Sequence, residues 1–176
     1  MSEEARIERS EEGAHAASPG WFVLNIAEAR WGHHDVAGRW TELEPPDGFE
    51  HYGIGIHVLE PGQPNGKYHS ENVQEDFLVL WGECILIVED EERHLKAWDL
   101  FHCAPGTNHI IVGAGDGPCA ILMAGLRGPE KKLHYPVSEV AARHNASTSE
   151  ETDTPKVAYG DWSSFEDRYT RLDWPL

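Results

Sequence analysis

The sequence predicts an all-β chain, a sandwich or barrel of short strands, and three observations carry that expectation. Apolar residues alternate with small or polar ones over short runs. Turn-forming residues punctuate those runs at a spacing of about 8–12 residues. The 17 Gly and 11 Pro supply tight turns throughout. A chain of 176 residues has room for one core with a short appendage at each end.

Residues 1–19 are charged and small, ending in Ser18-Pro19-Gly20, and read as a flexible acidic arm. Order is expected from Trp21-Phe22-Val23-Leu24. His33-His34-Asp35 sits in a turn-rich stretch and reads as a surface loop. From Tyr52 a half-buried strand sends Ile54, Ile56 and Val58 one way and Gly53, Gly55 and His57 the other. Whether His57 lines a barrel or faces solvent stays open at this point. Turns follow at Glu60-Pro61-Gly62 and Pro64-Asn65-Gly66.

Short strands then succeed one another: 77–80 into Gly82, and 84–88 into the acidic hairpin tip 89–92. Residues 94–96 and 99–103 lead to Pro105-Gly106, 109–112 to a turn at 113–118, and 120–124 closes the series. His102, beside Cys103, reads as a strand residue without a catalytic role. The barrel is expected over 20–128. Beyond it, 138–144 reads as a short helix with Ser138 as N-cap, and 145–155 as a linker. Tyr159, Trp162, Phe165, Tyr169 and Trp174 are too many aromatics for a free tail, so 129–176 reads as a helix and docking segment.

Charge excludes some functions. Lys and Arg number 14 against 31 Asp and Glu, a net charge of −17 that repels nucleic acid and anionic lipid. No apolar run approaches the roughly 18 residues of a membrane helix. The acidic N-terminus resembles neither a signal nor a transit peptide, and Cys84, Cys103 and Cys119 read as buried free thiols, so a cytoplasmic protein is expected. No helix-turn-helix pattern precedes the barrel.

Chemistry concentrates in residues 62–109. His69 and Glu71 are separated by one residue, which on a strand places both on one face. Glu75 opens the apolar strand that ends at Gly82, and His109 follows the turn at 104–108. This pattern resembles the cupin superfamily over about residues 50–126. Gly62, His69, Glu71, Glu75 and Gly82 follow the first cupin motif, and Gly106 and His109 the second. The chain departs from the family at several points: one extra residue before His69, Glu71 in place of the second His, Trp98-Asp99 for Gly-Asp, Ala104 for Pro, and Gly113 for Asn.

The resemblance implies a double-stranded β-helix (jelly-roll) barrel holding one divalent transition metal (Fe, Mn, Ni or Zn) near its mouth, with His69, Glu71, Glu75 and His109 as ligands. A second carboxylate tilts such a site towards Mn or Fe. Two registers fit the first motif, one presenting Tyr68 and Ser70, the other His69 and Glu71. The second is adopted because it offers an imidazole, and a local bulge would instead turn Glu71 to solvent. The implied function is a metal-dependent dioxygenase or sugar or keto-acid isomerase acting on a small organic substrate. The alternatives are a non-catalytic cupin that binds a small molecule and a barrel serving assembly alone. A lone barrel exposes strand edges, so a homodimer is expected, with the aromatic C-terminal stretch as a clasp.

Overall fold

In the computed structural model, which describes residues 3–41, 43–162 and 169–173, the expected all-β jelly roll is present. Fourteen strands are distributed among four antiparallel sheets of the described residues. The largest has seven strands: β10 (Leu100–Cys103), β7 (Glu75–Trp81), β12 (Cys119–Leu126), β5 (Tyr52–Leu59), β4 (Gly38–Thr41), β3 (Trp31–His34) and β14 (Tyr169–Thr170), in that spatial order. A three-stranded sheet places β8 (Glu83–Val88) between β11 (His109–Ala114) and β9 (Glu91–Lys96). Two small ribbons complete the set, β1 (Ile7–Ser10) with β2 (Gly13–Ala16), and β6 (Ser70–Glu71) with β13 (Leu133–His134).

The period of two decides which side chains reach the interior. On β7, Glu75, Phe77 and Val79 are buried while Asp76, Leu78 and Leu80 are only partly so. Phe77 and Val79 pack with Leu59, Leu86, Ile111 and Ile121 in the core between the sheets. Ile56 and Val58 turn the other way, onto a second cluster with Ala29, Trp31 and Leu172 that covers the outer face of the large sheet. Strand β11 is buried along nearly its whole length because both its faces are covered. His109 and Ile111 point between the sheets, while Ile110 and Val112 meet Tyr68, Ile87, Ala141 and Ala146 of a third cluster.

That third cluster is the footing of the C-terminal segment. Helix α1 (Glu139–Ala142) starts at the expected N-cap, the Ser138 hydroxyl accepting from Ala141 N–H at 3.0 Å. A second short helix, α2 (Pro155–Ala158), begins at the last residue of the stretch that the sequence presents as a linker. The Tyr159 hydroxyl accepts from Lys67 N–H at 3.1 Å, and Lys67 itself is fully buried, its ammonium 2.8 Å from Asp161 and 3.0 Å from the Ser147 carbonyl. Phe165 and Trp174 lie outside the described residues.

Two expectations need correction. The stretch read as a flexible acidic arm contains the β1–β2 hairpin, with Ala5, Ala14 and Ala16 buried against the body and Ala14 bridged to Ala29. Small alanines bury little area and leave no apolar stripe, which is why the stretch looks disordered as a sequence. The segment read as a loop around His33 is the β3–β4 hairpin, where His34 is buried and stacked on Trp162 with ring centroids 5.6 Å apart.

Candidate metal centre

His69 and His109 are far apart in sequence and directly opposed in space. They form a bridged antiparallel pair, His69 N–H donating to the His109 carbonyl at 3.1 Å and His109 N–H to the His69 carbonyl at 2.8 Å. The pairing sets the two imidazoles side by side, ring centroids 4.8 Å apart. Phe77 closes one side of the His109 ring, with centroids 5.2 Å apart, and Tyr135 flanks His69 at 5.7 Å.

The ring nitrogens are sorted by backbone acceptors. His69 Nδ1 lies 2.8 Å from the Lys67 carbonyl and His109 Nδ1 lies 3.1 Å from the Thr107 carbonyl. A carbonyl can only accept, so Nδ1 carries the proton in each ring and Nε2 is left as a bare lone pair. Both Nε2 atoms face the Glu75 carboxylate, Oε2 standing 3.5 Å from His109 and 4.0 Å from His69. Glu75 Oε2 is buried and has no hydrogen-bond partner among the described residues. One ligand atom from each of His69, Glu75 and His109 lies within 4.8 Å of the others.

Electrostatics sharpen the picture. Burial pulls both imidazoles down to about 4, so they are neutral near pH 7. Burial, then the Glu71 charge, pushes the Glu75 carboxyl up to about 7. A desolvated acid facing two neutral lone pairs has Lys131 as a nearby cation, and that ammonium is already paired with Glu71. A divalent cation in the gap would satisfy all three groups, and ligands at 2.0–2.2 Å from one ion stand up to about 4.4 Å apart, which accommodates the 3.5 and 4.0 Å separations of Glu75 Oε2 from the two imidazoles. The residues present therefore fit a first-row divalent metal with imidazole and carboxylate ligands.

Glu71 is not turned out to solvent. It is 6% exposed and lies inward as expected from the His69/Glu71 register, with Oε1 3.8 Å from His69 Nε2. Its second oxygen is held by Lys131 Nζ at 2.6 Å. Tyr68 points to the opposite face, where its hydroxyl accepts from Asp90 N–H. The short β6–β13 pairing fixes this register by setting Leu133 opposite Glu71.

A cavity of about 540 Å³ opens beside Glu75, lined by Gly53, Gly55, His57, Gly125, Arg127 and Lys131 among others. His57 is thus a cavity residue. Burial lowers its pKa to about 4, and its Nδ1 has no hydrogen-bond partner among the described residues. His102 faces outward and bonds Asp76 at 2.7 Å. The three cysteines are buried free thiols. No described helix is long and apolar enough to cross a membrane. Neither Arg127 nor Lys131 is marked by motif or alternation; a cluster of cations just past the last barrel strand of so acidic a chain was the available signal.

Residues 55–125 match the family described as the cupin domain. The fold is similar to that of a sugar phosphate isomerase of the cupin superfamily from Silicibacter pomeroyi, with a TM-score of 0.54 and 24% identity over 64% of this chain and 80% of that one. It is also similar to the polyketide cyclase RemF from Streptomyces resistomycificus, with a TM-score of 0.54 and 15% identity over 63% of this chain and 83% of the other. At such identities the likeness is one of fold. A protein from Acidithiobacillus ferrooxidans is 26% identical over 49% of this chain at a TM-score of 0.48, and this chain spans only 57% of its length. No curated protein matches the chain.

Proposed function

We propose that this chain, which belongs to the cupin superfamily, is a metal-dependent enzyme that moves a proton on a small organic substrate, a sugar or keto-acid isomerase. The observation that carries the metal is the convergence of two bare Nε2 lone pairs on the partnerless Oε2 of buried Glu75. His69, Glu75 and His109 would hold it, with Glu71 Oε1 as the fourth donor. When bound, such an ion polarises a substrate carbonyl or hydroxyl oxygen and makes the neighbouring C–H more acidic.

The chain's own residues do the rest. Backbone carbonyls of Lys67 and Thr107 orient the two imidazoles, and Phe77 and Tyr135 keep water from their flanks. His57 is what favours isomerisation over dioxygen chemistry. It presents a neutral imidazole at the wall of the cavity that Glu75 also lines. Proton transfer at carbon needs a base, and the proton affinity of His57 rises as negative charge develops on a substrate beside it. A homodimer in the cytoplasm is part of the same reading, supported by the free thiols and by exposed apolar residues near the β10 edge.

The test is hydrogen exchange. Metal-loaded protein is incubated in deuterium oxide with a panel of keto sugars and 2-keto acids, and C–H exchange is followed by NMR beside an oxygen electrode. Exchange in at least one substrate, at least about a hundredfold slower in His57→Gln, is expected. Oxygen uptake without exchange would establish a dioxygenase instead, and binding without either would leave a non-catalytic binder.

A further inference from the structure

The geometry points to a substrate with an anionic group, a carboxylate or a phosphate, received by Arg127 and Lys131 in the cavity beside Glu75. This deepens the proposed function and rests on it for the second anchor of the ligand, the metal.

The cavity floor is built for the purpose. Gly53 on β5 and Gly125 on β12 are direct cross-strand partners, and Gly125 is in turn opposite Glu75 on β7. A Cβ on Gly53 would come within 3.0 Å of Arg127 Nη2, and one on Gly125 within 3.3 Å of Glu75 Oε1. Neither glycine is in the left-handed region, so what these positions require is space rather than backbone freedom. The guanidinium lies over one bare strand and the carboxylate over its neighbour, with strands about 4.8 Å apart. A ligand of a few carbon atoms reaches from one to the other.

Charge selects the ligand's sign. The molecule as a whole, at −17, repels anions, yet two of its 14 basic residues line this cavity. Glu44 holds Arg127, and Glu71 holds Lys131 at 2.6 Å. Each contact engages only part of the donor set, five N–H on a guanidinium and three on an ammonium, so donors remain for a ligand. The same contacts fix both cations before any ligand arrives, which lowers the ordering cost of binding. The two ion pairs are neutral, and a divalent ion with one ligating Glu75 adds net positive charge. An entering anion meets attraction from both ends. His57 Nδ1, buried and partnerless on the same wall, is a further polar group for the ligand.

The experiment is calorimetric titration of the full chain loaded with Mn(II), using succinate, glycerol 3-phosphate and neutral succinamide. At least one anion is expected to bind once per chain and more tightly than succinamide, and the tighter anion identifies carboxylate or phosphate as the recognised group. Arg127→Gln should weaken it by about tenfold or more and Lys131→Gln several-fold, with metal content unchanged. If Arg127→Gln does not fold, Arg127→Lys keeps the charge while removing the bidentate fork, and should also weaken binding at a near wild-type melting temperature. Equal affinity in wild type and variants at full metal content overturns the anion site and leaves the metal reading standing. The converse is read from chelator-stripped protein. Anion binding there that Arg127→Gln abolishes, in a chain that takes up no metal, supports the anion site and sinks the metal reading.

Discussion

His57 stays neutral where an exposed imidazole would be half protonated. Burial lowers its pKa from 6.5 to about 4, so across that window the unfolded chain binds a proton that the folded chain does not. The contribution of His57 to the stability of the metal-free protein therefore rises with pH from about 4 to 6.5 and levels off above. His69 and His109 add the same sign, and Glu75, raised from 4.5 to about 7, opposes them between those values. Urea midpoints at a series of pH values should show a steeper acid loss in wild type than in His57→Gln. At Glu71 the outcome separates two roles. His69→Ala should abolish metal uptake, whereas Glu71→Gln should weaken it by a factor of about ten to a hundred, a loss measurable by competition with a chelator. His69, Glu75 and His109 were legible in the sequence because strand alternation and family spacing both mark them. The Lys131–Glu71 pair was not, since sixty positions separate its partners and they meet through the β6–β13 ribbon and the hydrogen bonds of Asn72 to Glu130 and Lys132.

The C-terminal segment holds the stretch that carries His69 from outside. Tyr159 bonds the backbone of Lys67, whose own carbonyl orients His69, and a Cβ on Gly66 would come within 2.9 Å of the Tyr159 hydroxyl. Tyr159→Phe leaves the Lys67 N–H without that partner and should cost about 1–3 kcal/mol, read as a lower urea midpoint. Removal of residues 159–176 also takes away Asp161, the charge partner of fully buried Lys67, and should lower the melting temperature much further. Strands β5, β7, β8 and β11 were legible because apolar side chains alternate or run unbroken where one or both faces are covered. The β1–β2 and β3–β4 hairpins were not, because apart from Trp31 their buried positions are mostly small or polar residues that mimic a turn-rich coil.

At the scale of the whole molecule, the large sheet ends at β10 among the described residues. Leu100, 67% exposed, sits opposite Leu78, with Trp98 at 76% beside it. An apolar edge of that kind favours a second copy over solvent. The protein should elute as a dimer, and Leu100→Glu should shift it to the monomer without changing its metal content. The proposed chemistry depends on the ion itself. Elemental analysis of protein purified without chelator, compared between wild type and His109→Ala, tests it most directly. About one Fe, Mn, Ni or Zn per wild-type chain and close to none in the variant is expected. A wild-type content near zero that no added Fe, Mn, Ni or Zn restores, or equal metal in both proteins, would contradict it.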